Sequence, residues 1–154
     1  MEWFVKKMDE LDAHTLYDII ELRMRVFIIE QQCFYEELDR KDHDATHVYA
    51  KDDSGKIVAY LRVLGHGVSF DEVSIGRVVV HPEARKDGLG RVLMHKGIEV
   101  VKTHYGDTPI RISAQAYLQK FYESLGFIAV SDIYLEDDIP HLDMLRQGDG
   151  DSVS

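Results

Sequence analysis

Residues 80–90 read Val80-His81-Pro82-Glu83-Ala84-Arg85-Lys86-Asp87-Gly88-Leu89-Gly90, an Arg-x-x-Gly-x-Gly loop between two apolar runs. Before the loop, Val78 and Val79 belong to a β-branched run that is typical of a buried strand, and Pro82 ends it. After the loop, apolar residues recur at helical spacing as far as Val101. The glycines therefore stand at a helix N-terminus, where unpaired amide N–H groups and the helix dipole favour a phosphate.

A loop of this kind, taken alone, also fits a turn that needs glycine for its backbone angles. No Gly-Lys-Ser/Thr ending follows, so the loop is not a P-loop. No acidic residue stands about 20 positions further on after a second strand, as a Rossmann dinucleotide site requires. Cationic side chains collect near the glycines, which suits a ligand with several phosphates but also a solvated helix face; they are Arg85, Lys86, Arg91, His95 and Lys96.

A second segment follows the glycine loop and reads Gln115-Ala116-Tyr117-Leu118-Gln119-Lys120-Phe121-Tyr122-Glu123-Ser124-Leu125-Gly126-Phe127. Together the two segments resemble the GNAT superfamily of N-acetyltransferases. The loop matches its acetyl-CoA pyrophosphate motif, and the segment from Tyr122 to Phe127 matches its Tyr-x-x-x-Gly-Phe motif. Further stretches are similar to the ElaA-type branch: Arg25-Val26-Phe27, Glu30-Gln31, Ile75-Gly76-Arg77-Val78, residues 114–127 and Ile139-Pro140-His141.

The resemblance implies acetyl-CoA as co-substrate and the GNAT (acyl-CoA N-acyltransferase) fold, an α/β fold with a mixed, twisted, mostly antiparallel sheet. It also implies that two central strands splay apart and that backbone of Val78 and Val80 pairs with the pantetheine amides. Gln115 stands where many members carry Asn. The expected cofactor-binding residues are Val78, Val79, Val80, Arg85, Lys86, Asp87, Gly88, Leu89, Gly90, Arg91, Gln115 and Tyr122.

The periodicity and turn signals of the chain predict an alternation of strands and helices. Strands are expected at about 2–6, 47–51, 56–64, 73–80, 109–114, 127–130 and 141–146. Helices are expected from Asp12 or Thr15 to about Ile29, over 88–105 and over 117–125, with a polar loop at 31–46. This order indicates a mixed α/β sheet with helices on both faces.

The chain of 154 residues has the size of one domain, which we place at residues 1–146, followed by a flexible acidic tail at 147–154. Its net charge of −10 argues against nucleic-acid and anionic-membrane partners. Cys33 is the sole cysteine, which excludes an internal disulfide, and we read it as a packed or idle thiol. With no signal-peptide pattern and no apolar run of spanning length, we expect a cytoplasmic protein.

Acetyl transfer to an amine needs a neutral amine, a polarised carbonyl and a proton for the leaving thiolate. An alkylamine of pKa near 10.4 costs about 4.6 kcal/mol to deprotonate at pH 7. Backbone N–H groups, such as that of Val80, are expected to hold the oxyanion. The resemblance assigns the acid role to Tyr122, which would otherwise be read as a core aromatic. Candidate bases are Glu30, His47 and His141, and a water chain to solvent is a further candidate.

The polar stretch around residues 36–44 contains no metal-ligand spacing, and we expect no metal. Its pattern Glu37-x-Asp39-x-x-Asp42, with the preceding Arg23-x-x-x-Phe27 and the later Arg62, is similar to the acyl-homoserine lactone synthases, which use S-adenosylmethionine. Those enzymes lack the intact glycine loop, so acetyl-CoA is favoured. The acidic loop either lines the acceptor side and favours a cationic substrate or is solvated.

A non-catalytic acyl-CoA-binding regulator is the third interpretation. For an enzyme, the acceptor is a small-molecule or peptide amine that the sequence does not identify. A homodimer is the default expectation for the oligomeric state.

Overall fold

A computed structural model of the protein describes residues 1–148. The strands are β1 (Glu2–Lys7), β2 (Thr46–Lys51), β3 (Ile57–Leu64), β4 (Val73–Val80), β5 (Ile110–Gln115), β6 (Ile128–Ala129), β7 (Tyr134–Glu136) and β8 (Ile139–Arg146). The helices are α1 (Ala13–Arg23), α2 (Leu89–Tyr105) and α3 (Gln119–Glu123). Neither the longest helix, α2, nor any other in the described chain is long and apolar enough to cross a membrane.

The strands form one mixed sheet in the order β1-β2-β3-β4-β5-β8-β6, and β7 also pairs with β8. Every pair is antiparallel except β4 with β5. The α2 helix packs on one face through Leu93, Met94 and Ile98, and α1 packs on the other through Ile19 and Leu22. The predicted α/β sheet with helices on both faces is therefore confirmed.

The sheet opens between β4 and β5. These strands pair only at Val73 with Ile110 and at Ser74 with Arg111. A register irregularity, where β4 carries one residue more than β3, coincides with Arg77, whose φ is +52°. An extra residue bends the strand that carries it. The upper part of β4 consequently leaves β5 and exposes its edge, which is the splay that the family resemblance implied.

The predicted elements deviate from the structure in three places. The first helix ends its α-helical part at Arg23 and continues as a π-helical segment, Met24–Glu30. The predicted helix 117–125 is a 3₁₀ turn, Ala116–Leu118, followed by the short α3. Strand β7 was not predicted, because its two-residue turn, Asp137-Asp138, contains no glycine although both φ angles are positive. Most of the predicted tail, residues 149–154, lies outside the described residues.

Candidate active site

A cleft of about 780 Å³ lies where β4 and β5 separate. The β4 edge forms one wall, and β5 with α3 forms the other. The π-helical segment and the β7–β8 turn lie at its mouth. Of the residues predicted to act in catalysis or cofactor binding, the following line this cleft: Glu30, Val78, Val79, Val80, Arg85, Gly90, Gln115, Tyr122 and His141.

The glycine loop presents a row of free amide groups. Within residues 1–148, the N–H groups of residues 86–90 donate to no acceptor. Asp87 and Gly88 both have positive φ, at 65° and 71°, and Gly88 is the N-cap of α2. Successive unpaired amides at the start of a 17-residue helix form a concave site for an anion. The backbone N–H groups of this loop can therefore act as hydrogen-bond donors to a diphosphate without help from any side chain.

The side chains around the loop divide into two groups. Arg85 reaches the cleft, whereas Leu89 is buried in the core beneath the loop. Arg91 donates to the Ser124 hydroxyl at 2.8 Å and lies over the Phe121 ring. Lys86 does not line the cleft. Of these four predicted cofactor-binding side chains, Arg85 alone lines the cleft.

The free edge of β4 provides polar backbone groups along the cleft. The amide of His81 donates to Val58 on β3 at 2.8 Å. Because backbone groups alternate in direction along a strand, those of Val80 and Val78 face away from β3 and toward the cleft. The Val80 carbonyl accepts from Arg85 Nε at 3.1 Å. The edge is thus positioned to pair with an extended amide-containing ligand arm.

Glu30 faces Arg85 across the cleft in a bidentate ion pair. The two guanidinium nitrogens donate to the two carboxylate oxygens at 2.7 and 2.6 Å. Hydrogen bonds from Arg85 lower the pKa of Glu30, which makes its carboxylate a weaker base. The structure therefore places this candidate base on the cofactor's expected arginine, where it competes with a phosphate for the same donors.

Replacing Glu30 with Gln is expected to tighten acetyl-CoA binding about two- to fivefold, the range that corresponds to a partly exposed ion pair. The variant removes the carboxylate that competes for Arg85 and keeps the side-chain shape. Isothermal titration calorimetry with acetyl-CoA measures the effect, and Glu99→Gln, an exposed position on α2, is the control. Weaker binding by Glu30→Gln would show that the carboxylate helps to hold the cofactor instead.

Tyr122 lies deep in the cleft wall and is only 6% exposed. Its ring packs edge-on against Phe121 and Phe127. Its hydroxyl has no hydrogen-bond partner within the described residues. Burial, with a contribution from Tyr117, raises the pKa of Tyr122 to about 12. The phenol therefore keeps its proton at neutral pH and is free to donate it.

His141 lies opposite Gln115 on neighbouring strands and is 7% exposed. Its Nδ1 is 2.7 Å from the Ile139 carbonyl, which can only accept, so Nδ1 carries the proton. In the neutral ring, Nε2 then has a free lone pair. The nearest charged atom is Glu136 Oε2, at 3.7 Å from Nε2. His47 differs, because it is fully buried outside the cleft and bonds to Tyr60 and the Asp42 carbonyl.

The three carboxylates of the acidic pattern, Glu37, Asp39 and Asp42, are not free to bind a cation, because each pairs with arginines. Arg23, 1% exposed, donates to Glu37 at 2.6 Å and to Asp42 at 2.8 Å. Arg62 pairs with Asp39 at 2.6 Å and with Asp42 at 2.9 Å. We call this group, with Arg77, the ion-pair network. It gives the pattern resembling the lactone synthases a structural explanation.

Arg77 connects the ion-pair network to the cleft and was not singled out from the sequence. Its Nε donates to Glu37 at 2.9 Å, and its guanidinium lies over the Tyr35 ring. The available signal was an arginine inside an otherwise apolar strand. Cys33 also lines the cleft; its thiol donates to the Asp137 carbonyl at 3.0 Å, and burial raises its pKa. The thiol is thus engaged in packing the β7–β8 turn.

Comparisons with known proteins agree with this geometry. The family model described as acetyltransferase (GNAT) domain matches residues 13–147. A UPF0039 protein of Schizosaccharomyces pombe is 42% identical over 145 residues, covering 94% of this chain and 95% of the relative. Protein ElaA of Escherichia coli is 40% identical over 150 residues, covering 96% and 97%.

Solved structures give the same result. An acyl-CoA N-acyltransferase from Pseudomonas aeruginosa has a TM-score of 0.89 at 42% identity and covers 95% of this chain and 99% of that one. An aminoglycoside 6'-N-acetyltransferase complexed with coenzyme A shares the fold, with a TM-score of 0.70 at 16% identity over 94% and 96% of the two chains. The chain therefore belongs to the GNAT acetyltransferase family, among the relatives of ElaA.

Proposed function

We propose that this protein transfers the acetyl group of acetyl-CoA directly to a primary amine. One observation carries the proposal: an unpaired strand edge, Tyr122 and His141 line a single cleft, which the glycine loop with its free amides borders through Arg85 and Gly90. Acetyl-CoA needs this combination, because it has a diphosphate, an amide-containing arm and a thioester in that order. The related aminoglycoside enzyme, which is complexed with coenzyme A, supports the same co-substrate.

The binding residues follow from the chemistry of each ligand part. The amides of residues 86–90 and the guanidinium of Arg85 suit the diphosphate. When it binds, the diphosphate replaces the Glu30 carboxylate as the anionic partner of Arg85. The cleft-facing backbone of Val78 and Val80 suits the arm. The thioester then lies beside Tyr122, and the acceptor amine binds next to His141 in the same cleft.

In the reaction, His141 Nε2 accepts a proton from the acceptor ammonium and leaves a neutral amine. The amine nitrogen forms a C–N bond with the thioester carbonyl carbon, and the C–S bond breaks. Tyr122 donates its proton to the departing sulfur, and the second proton that the amine nitrogen loses reprotonates the phenolate. The proton held by His141 passes to solvent. The Val80 N–H, which faces the cleft, stabilises the negative oxygen that develops.

The test combines binding with turnover in the wild type and in His141→Asn. The wild type is expected to bind acetyl-CoA in calorimetry, to show no heat with S-adenosylmethionine, and to release coenzyme A thiol when amines are added. The variant is expected to bind acetyl-CoA equally well while kcat/KM for the amine falls about 100-fold. Binding of S-adenosylmethionine instead of acetyl-CoA would refute the proposal. Full activity of the variant would remove His141 from the base role.

A further inference from the structure

In the cleft, the arginines have carboxylate partners, but two of the carboxylates have no arginine or lysine partner among the described residues. The arginines that line it are paired, Arg77 with Glu37 and Arg85 with Glu30. Two carboxylates at the mouth, Glu136 and Asp137, have no lysine or arginine paired with them among residues 1–148, and the imidazole of His141 lies 3.7 Å from Glu136. The uncompensated charge of the cleft is therefore negative and lies on the β7–β8 turn.

The turn places Glu136 beside His141 and Asp137 along the same lining of the cleft. Asp137 and the next residue, Asp138, have φ of 52° and 64°, so the two-residue turn is tight. The Cys33 thiol donates to the Asp137 carbonyl at 3.0 Å and ties the turn to the segment that follows the π-helical segment. Glu136 and Asp137 consequently stand at the entrance through which an acceptor reaches His141.

Two side chains that are more than nine-tenths buried line the same cleft, and each carries a polar atom that lacks a hydrogen-bond partner in the part of the chain that the structure describes. Tyr122 is 6% exposed, and its hydroxyl has no hydrogen-bond partner in the described chain. His141 is 7% exposed, and 3.7 Å between its Nε2 and Glu136 is too long for a hydrogen bond. A primary amine supplies the partner that His141 Nε2 lacks, because an ammonium hydrogen-bonds to imidazole nitrogen and to the neighbouring Glu136 carboxylate at once.

We infer that the acceptor is a primary alkylammonium with no carboxylate on the carbon that carries an amino group. This inference rests on the proposed function and specifies its substrate. Glu136 and Asp137 attract the ammonium to His141 and repel a carboxylate, so simple alkylamines are used and free α-amino acids are disfavoured. They act as specificity residues, since they bind the charge while His141 and Tyr122 move the protons.

The experiment compares each amino acid with the amine that lacks its carboxyl group: lysine with cadaverine, ornithine with putrescine, tyrosine with tyramine and serine with ethanolamine. Coenzyme A thiol release gives kcat/KM for every compound. We expect kcat/KM for each amine to exceed that for its amino acid by about tenfold or more at low ionic strength, because the carboxylates of Glu136 and Asp137 repel the carboxylate of the amino acid. The preference is expected to shrink in high salt.

The second arm is the double variant Glu136→Gln, Asp137→Asn, with Glu99→Gln as control. Asparagine tolerates positive φ, so the turn keeps its backbone. In this variant, KM for cadaverine is expected to rise about tenfold with kcat nearly unchanged, whereas KM for lysine is expected to rise much less. Equal or better use of the amino acids by the wild type, or an unchanged KM in the double variant, would overturn the inference while the acetyltransferase function stands. No thiol release from any compound by a protein that binds acetyl-CoA would overturn both.

Discussion

Replacing Tyr122 with Phe is expected to lower kcat about 100- to 1,000-fold, the range for loss of a general acid. The phenol is the proposed proton donor, and its raised pKa keeps it protonated throughout the physiological range. Phe retains the ring that packs against Phe121 and Phe127, so the fold is conserved. The dissociation constant for acetyl-CoA is therefore expected to change less than twofold, because the proposed binding contacts lie on the loop and on β4.

Steady-state thiol release measures kcat, and calorimetry measures the affinity of the same preparation. Tyr105→Phe, at the end of α2 and outside the cleft, is the matched control and should keep full activity. A Tyr122→Phe enzyme with unchanged kcat would assign the proton of the leaving thiolate to water. A large loss of acetyl-CoA affinity in the variant would instead make Tyr122 a binding residue.

Arg23→Met is expected to reduce the free energy of unfolding by about 3–5 kcal/mol, the cost of breaking a buried ion pair from one side. The loss leaves Glu37 and Asp42 buried, with Glu37 retaining Arg77 and Asp42 retaining Arg62. For a domain of this size the change corresponds to a fall in Tm of about 6–20 °C. Thermal unfolding followed by circular dichroism measures it.

The control is Arg25→Met, two residues further along the same helical region, where the side chain is exposed. It should shift Tm by no more than about 2 °C, because surface substitutions have small effects. A similar small shift for Arg23→Met would mean that the ion-pair network adds little to stability. In that case the fold would rest on its apolar clusters alone.

The loss of stability caused by Arg23→Met is expected to become smaller in acid. Burial of Asp42 opposes its ionisation, but Arg23 and Arg62 overcome this and hold its pKa below the usual value. A depressed acid pKa contributes stability above about pH 4 that is lost as the pH falls through the folded value. Without Arg23 that contribution shrinks, so the difference in Tm between wild type and variant should narrow below about pH 4. A difference that stays constant in acid would exclude the carboxylates as its cause.

Local patterns predicted most of the sheet and the cofactor loop. Strands β2, β3 and β4 fall within two residues of the expected bounds, because alternation and turn residues specify a strand over a few neighbours. The loop at 85–90 was recognisable for the same reason. Strand β7 escaped notice, since its turn uses aspartates where glycine is the usual signal. The π-helical segment was predicted as ordinary helix because its seven residues are too few for the sequence to distinguish a π-helical from an α-helical period.

The sequence by itself determined the family, the α/β sheet and the glycine loop at a helix N-terminus, because each depends on residues close together in the chain. Only the tertiary structure decided which candidate base is free. It brings Glu30 to Arg85, 55 positions away, and leaves His141 open beside Glu136. It also converted an acidic loop into a paired network, since arginines from α1, β3 and β4 converge on it. Such contacts depend on how strands bend and pair, and spacing along the chain does not encode these distances.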